Sequence, residues 1–89
     1  MSDYVGVVVD ELELAILGAI DNGLVGRVDA LMVRAFSFCD GVYKGCDDQG
    51  VRLSALDGML RLYDAYSVYL SDVGLRRVNF FASNYFVVD

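Results

Sequence analysis

The sequence of 89 residues contains no histidine, no proline and no tryptophan, and it has only two cysteines and one lysine. Without histidine there is no imidazole base, no Ser-His or Cys-His nucleophile pair and no histidine metal ligand. The glycines fit neither nucleotide-loop pattern, since G-x-G-x-x-G and G-x-x-x-x-G-K are both missing. We therefore expect no enzymatic activity, no cofactor and no metal centre.

Charge of one sign is also scarce. Seven basic residues stand against thirteen acidic ones, which gives a net charge of −6 and a sequence pI of about 4.3. Only Arg76 and Arg77 are adjacent in sequence among the basic residues. A nucleic acid backbone repels such a chain unless its bases cluster on one face, so we expect no nucleic acid partner.

Long uncharged apolar runs are missing as well. The longest covers residues 78–88, which is shorter than the roughly 18 to 20 residues that a membrane span needs. The acidic residues Asp3, Asp10 and Glu11 lie where a signal peptide requires basic and apolar ones. We expect a single domain over residues 1–89 without a membrane-spanning segment.

The two cysteines, Cys39 and Cys46, are seven residues apart, a spacing typical of neither zinc sites nor redox motifs. Small secreted scaffolds carry many more cysteines. The pair is therefore interpreted as two buried free thiols in a reducing, cytoplasmic compartment, with a single surface disulfide as the alternative.

What the chain has in abundance is apolar residues, 56% of the total, many of them at helical spacing. Steps of three and four predict a first helix over residues 4–21, capped by Ser2 or Asp3, and a second over residues 25–43, with Asn22-Gly23 between them. The run of valines leaves a strand at residues 4–9 as the alternative for the first segment. The predicted inner faces contain Val5, Val8, Val9, Leu12, Ile16, Ala19 and Ile20, then Val28, Leu31, Met32, Ala35, Phe36, Cys39 and Val42 or Tyr43.

The second half predicts two more helices. Ser54 is the expected cap of a third helix over residues 55–70, after a turn-rich loop at residues 45–50. Asp72 is the expected cap of a fourth helix that ends near Asn84; the alternative is a hairpin of strands at residues 78–88. The predicted fold is an all-α, small four-helix domain, with an α+β fold as the alternative. The inner face of the third helix is expected to hold Leu56, Met59, Leu60, Tyr63, Tyr66 or Ser67, and Leu70.

Large apolar side chains remain outside these inner faces, and a domain of this size buries only about 60% of its unfolded surface. Spare apolar surface marks subunit or partner interfaces. The leading hypothesis is therefore a small, acidic, non-enzymatic interaction module that forms a homo-oligomer or docks on another protein. The candidate interface residues are Leu14, Leu17, Phe38, Leu62, Tyr66, Tyr69, Phe80 and Phe86.

A first alternative is an acidic charge mimic of the kind that phages and other viruses encode, which occupies a basic groove in place of a phosphate array. Helical numbering puts Asp10, Glu13 and Asp21 on one outer face of the first helix, and Asp57 with Asp64 on that of the third. Such an inhibitor or sequestering factor would bind in a salt-dependent manner.

A second alternative comes from residues 21–32 and 46–57, each of which weakly resembles the calcium loop of an EF-hand. The resemblance implies a degenerate helix–loop–helix peptide binder. It departs from the family at positions that carry carboxylates or the turn glycine. Those positions hold Gly23, Val25, Met32, Cys46 and Val51.

Overall fold

A computed structural model describes residues 4–88. They form α1 (Tyr4–Asp21), α2 (Val25–Gly45), α3 (Gln49–Tyr66) and α4 (Asp72–Ala82), with a short 3-10 helix, Ser67–Tyr69, between the last two. No strand occurs among these residues, so the predicted all-α four-helix fold is confirmed and both strand alternatives are wrong. The predicted caps Ser2 and Asp3 of the first helix lie outside the described residues.

The turn between α1 and α2 forms as the sequence indicates. Gly23 has a φ of +67°, a left-handed conformation that glycine adopts without a steric penalty. The amide of Gly23 donates to the carbonyl of Ile20, at 3.0 Å, and the amide of Leu24 donates to that of Ala19, at 2.9 Å. These bonds satisfy the last carbonyls of α1 and reverse the chain within three residues.

Helix α3 begins six residues earlier than predicted. The side chain of Asp48 accepts a hydrogen bond from the amide of Val51, at 3.1 Å, and so caps a helix that starts at Gln49. The predicted cap Ser54 lies inside the helix. The expected loop shrinks to residues 46–48, because an aspartate in the capping position outweighs the presence of Gly50 in the first turn.

The inner face of α3 is also turned relative to the prediction. Leu60, expected in the core, is exposed, whereas Leu62, expected at the surface, is 0% exposed. The reason is a pair of small residues, Ala55 and Gly58, which lie against the neighbouring helices. A Cβ on Gly58 would stand 3.0 Å from a methyl group of Val9, so the glycine permits the close approach of α1.

Helix α2 occupies the centre and packs against all three other helices. Its two sides touch different neighbours: Phe38 contacts Tyr4 of α1, while Asp29 faces α4. Nine residues separate these two positions, which places them about half a turn apart around the axis of α2. Helices α1 and α4 therefore lie on opposite sides of α2.

Two carboxylates of α2 hold α4 at its ends. Asp29 accepts hydrogen bonds from both the amide, at 3.0 Å, and the hydroxyl of Ser71, the residue that caps α4. Asp40, eleven residues later and so on the same side of α2, accepts from the hydroxyl of Tyr85 just beyond α4. The predicted cap Asp72 is instead the first residue of the helix.

The interior between the helices is apolar, and no polar or charged residue is buried among those described. Its largest fully buried side chains are Phe36, Ile16, Met32, Met59 and Leu62. The total accessible surface of 5438 Å² is close to the ~5,200 Å² expected of a compact monomer of this mass. Apolar side chains that remain exposed are therefore not the result of loose packing.

Candidate functional site

The eight candidate interface residues fall into three groups. Leu62 and Tyr66, at 0% and 8% exposure, belong to the core, so their prediction as interface residues is wrong. Leu62 turns inward with the small residues of α3, and Tyr66 lies on the inner face that the sequence also indicates. Phe38 and Phe86 are half-buried; their rings pack edge-on against Tyr4 and Tyr63. The remaining four are exposed: Leu14, Leu17, Tyr69 and Phe80.

Phe80 stands at the centre of a surface that we call the α4 patch, made of Val33, Val73, Arg76, Arg77 and Phe80. Phe80 is 73% exposed, and its ring touches only the edge of Phe81 among aromatic neighbours. Val33 comes from α2. The other four residues lie three or four positions apart and so form a single outer stripe of α4. A shallow depression of about 420 Å³ lies between the arginines, Val33 and Phe80.

The arginines of the α4 patch have no ionic partner within residues 4–88. The ion pairs of the described structure join Lys44 to Asp40, and Arg61 to Asp10 and Glu13. Asp72 and Arg76, four residues apart in α4, form no ion pair. In a protein of net charge −6, two adjacent arginines beside an exposed phenylalanine thus face solvent.

A second exposed apolar surface, the α1 stripe, runs along the opposite side of the molecule. Its members repeat at steps of three and four, and Leu14 at its centre is 70% exposed. Neither of its two acidic residues is in an ion pair with any basic group of the described chain. The α1 stripe consists of Val7, Glu11, Leu14, Gly18 and Asp21.

Other carboxylates of α1 are already paired. Arg61 of α3 donates to Asp10 at 2.8 Å and lies 3.6 Å from Glu13, instead of pairing with Asp57 or Asp64 along its own helix. The hydrogen bond to Asp10 raises the pKa of the Arg61 guanidinium. Two of the three carboxylates that the charge-mimic hypothesis placed on α1 are thus partly neutralised within the molecule.

Glu13 has a second donor. The hydroxyl of Tyr66 donates to its carboxylate at 2.6 Å. Burial, followed by this hydrogen bond, raises the pKa of Tyr66 to about 12. Burial and the hydrogen bond to Asp40 similarly raise the pKa of Tyr85 well above its ordinary value. Both phenols are therefore held protonated and serve as fixed donors between helices.

The structure does not form the two calcium loops that the EF-hand resemblance implies. Residues 49–57 of the second proposed loop are helical, and the first retains only residues 22–24 outside helices. The capping Asp48 accounts for this difference, because it starts α3 inside the proposed loop. Within the described part of the chain no group of carboxylates or thiols is placed to hold a metal ion.

Both cysteines are free. Cys39 is fully buried beside Gly58, and burial raises the pKa of its thiol to about 11. Cys46 is only half-buried, unlike the prediction, and lines an open apolar groove of about 560 Å³ together with Tyr4, Phe38 and Val42. A thiol held in its protonated form is a poor nucleophile, so Cys39 is an inert core residue.

Between Tyr4 and Val88, no helix combines the length and apolar character needed to cross a membrane. No protein-family model, no curated protein and no solved structure matches the chain. The α4 patch and the α1 stripe are therefore the features of the molecule that bear on its function.

Two residues of these surfaces were not predicted from the sequence. Val7 and Val73 belong to the α1 stripe and the α4 patch, yet neither was singled out. Their signal was present in the sequence, because each lies seven residues before a residue that was chosen, Leu14 and Phe80. Seven residues are two helical turns, so the pairs share a face.

Proposed function

We propose that this chain is a small, non-enzymatic protein–protein interaction module that binds an acidic protein surface through its α4 patch. One observation carries the proposal: Phe80 is largely exposed and flanked by Arg76 and Arg77, neither of which has a carboxylate partner among residues 4–88. Phenylalanine and arginine are enriched at the centres of protein interfaces.

The energetics favour use of this surface. Covering a phenylalanine side chain stabilises a complex by about 1.5–3 kcal/mol of apolar transfer free energy. The two arginines add directionality, since their guanidinium groups pair with carboxylates in a fixed fork geometry. Such a surface is complementary to a partner helix in which an exposed apolar side chain lies one turn from a Glu or Asp.

The reactive groups of the chain support a binding role over catalysis. The thiol of Cys39 and the phenols of Tyr66 and Tyr85 all have raised pKa values, which is the opposite of what activated nucleophiles need. The two free thiols favour a reducing compartment, and we propose a cytoplasmic location on that basis.

The charge-mimic function receives less support. It requires an array of free carboxylates, but Arg61 engages Asp10 and Glu13 of α1. Arg76 and Arg77 of the α4 patch, by contrast, are exposed and adjoin a large apolar side chain. Neither has an ion-pair partner among the described residues. An acidic partner is therefore the better match.

The test uses two designed helical peptides of identical length, one built from leucine and glutamate and one from leucine and lysine. We expect the acidic peptide to bind the wild-type protein in fluorescence anisotropy with a Kd of about 10⁻⁴ M, typical of a small interface. Binding weakens at high salt, because exposed charges are screened. The basic peptide does not bind.

Variants locate the binding surface. Phe80→Ser, and separately Arg76→Gln with Arg77→Gln, are each expected to weaken binding of the acidic peptide at least tenfold. Val87→Ser is the matched control, because Val87 is 94% exposed and lies outside the α4 patch. Equal affinity of all variants contradicts the proposal, as does binding of a single-stranded oligonucleotide in place of the acidic peptide.

A further inference from the structure

We infer that the occupant of the α4 patch is the α1 stripe of a second copy of the chain, so that copies associate head to tail. This inference rests on the proposed function and adds the identity of the partner. It requires that the two surfaces be complementary, separate and both accessible in one molecule.

Complementarity is visible in the pattern of each surface. On α4, Arg76 and Arg77 precede the exposed Phe80 by one turn. On α1, Glu11 precedes the exposed Leu14 by one turn, and Asp21 follows Gly18 by one turn. Each surface is thus an apolar centre with charge one turn away, and the two signs are opposite.

Helix α1 is the most acidic element of the described chain. It contains four carboxylates and no basic residue. Asp10 is engaged by Arg61, and Glu13 by Arg61 and Tyr66, which leaves Glu11 and Asp21 available to a partner. The α1 stripe therefore has the chemistry that the α4 patch selects, an apolar helix face edged by carboxylates.

The α1 stripe has space for a large side chain of the partner beside Gly18. Gly18 is exposed, and a Cβ built on it would meet nothing within 4 Å. The missing side chain leaves a shallow gap beside Leu14. An aromatic ring such as that of Phe80 lies flat over a glycine of this kind and brings the two helices close together.

The two surfaces are on opposite sides of α2, so neither blocks the other. A contact between unlike surfaces is heterologous, and each copy that joins uses one of its two surfaces and leaves the other free. Repetition closes into a ring or continues as an open chain. One contact spans only α4, about 17 Å long, so we expect a Kd near ~10⁻⁴ M per contact.

The test is a charge exchange measured by sedimentation equilibrium over a range of protein concentrations. One variant carries Arg76→Glu and Arg77→Glu, which makes both surfaces acidic. The other carries Glu11→Lys and Asp21→Lys, which makes both surfaces basic. A third combines all four substitutions and keeps the wild-type net charge of −6, and it therefore controls for overall repulsion.

We expect the wild type to self-associate, and each two-site variant to be at least tenfold weaker on its own. A 1:1 mixture of the two variants, and the fourfold variant alone, regain the wild-type association, because opposite surfaces meet again. Each substituted side chain is exposed, and far-UV circular dichroism checks that every variant retains its helices.

Three results overturn the inference. If the wild type stays monomeric yet binds the acidic peptide, the partner is another protein and the proposed function stands. If it neither self-associates nor binds the peptide, both fall. If either two-site variant still associates alone, or if the mixture and the fourfold variant stay monomeric, the contact is not head to tail.

Discussion

The attachment of α4 to α2 predicts an unusual reversal in the effect of one substitution. Gly74 lies in the first turn of α4, directly under the carboxylate of Asp29. A Cβ built on Gly74 would be within 2.8 Å of all three atoms of that carboxyl group. Gly74→Ala therefore forces Asp29 away from the amide and hydroxyl of Ser71.

The magnitude follows from two opposing contributions. Hydrogen bonds to an ionised group are worth roughly 1.5–3 kcal/mol each, and two of them end at Asp29. Alanine is at most about 1 kcal/mol better than glycine in a helix. We expect Gly74→Ala to lower the free energy of unfolding by about 2–5 kcal/mol, a large part of the ~4–13 kcal/mol available to a domain this size.

The reversal appears when Asp29 is removed first. Asp29→Ala alone costs a similar amount, about 2–5 kcal/mol, because it deletes the same hydrogen bonds. In that background Gly74→Ala has nothing left to displace and becomes neutral or stabilising by up to about 1 kcal/mol. Gly41→Ala is the control, since a Cβ on Gly41 meets nothing within 4 Å and should stabilise the wild type.

Urea unfolding followed by circular dichroism gives all four free energies of this double-mutant cycle. The expected coupling between positions 29 and 74 is at least about 2 kcal/mol. If Gly74→Ala costs the same with and without Asp29, the carboxylate is not the group it displaces, and the described attachment of α4 is refuted.

Two further predictions concern buried groups. Under native conditions Cys46 reacts with a thiol reagent at pH 8, whereas Cys39 reacts only after unfolding; equal rates would contradict its burial. The pKa of Tyr66 rises from 10.0 in the unfolded chain to about 12 in the folded one. The protonated phenol therefore stabilises the folded protein below pH 10, and this contribution is lost as the pH rises towards 12. Urea midpoints measured on either side of pH 10 should therefore fall less in Tyr66→Phe than in the wild type.

Periodicity predicted the fold wherever large apolar residues alone define the inner face. In α1 and α2 the predicted stripes are all buried or half-buried, and their bounds agree to within two residues. In α3 the pattern misplaced only Leu60 and Leu62, because the predicted stripe followed large side chains and ignored Ala55 and Gly58. Small residues carry little hydropathy, yet they decide which side of a helix lies closest to its neighbour.

The site was less predictable, for a related reason. The exposure of Leu14 and Phe80 follows from helical spacing and was anticipated. The removal of Leu62 from the surface depends on the turn of α3, and the engagement of Asp10 by Arg61 joins residues 51 apart in sequence. Local spacing favours pairs within one helix, so contacts between helices cannot be read from it.

The wholly apolar interior has a consequence for the uniqueness of the fold. Apolar helix faces can pack together in many arrangements of similar stability, so the choice among these arrangements depends on directional contacts. Four carboxylates at the rim of the core make such contacts, and all of them lie in the first half of the chain, while their donors lie in the second. The acceptors are Asp10, Glu13, Asp29 and Asp40; the donors are Arg61, Tyr66, Ser71 and Tyr85. These contacts between the two halves of the polypeptide thus select one arrangement of the helices.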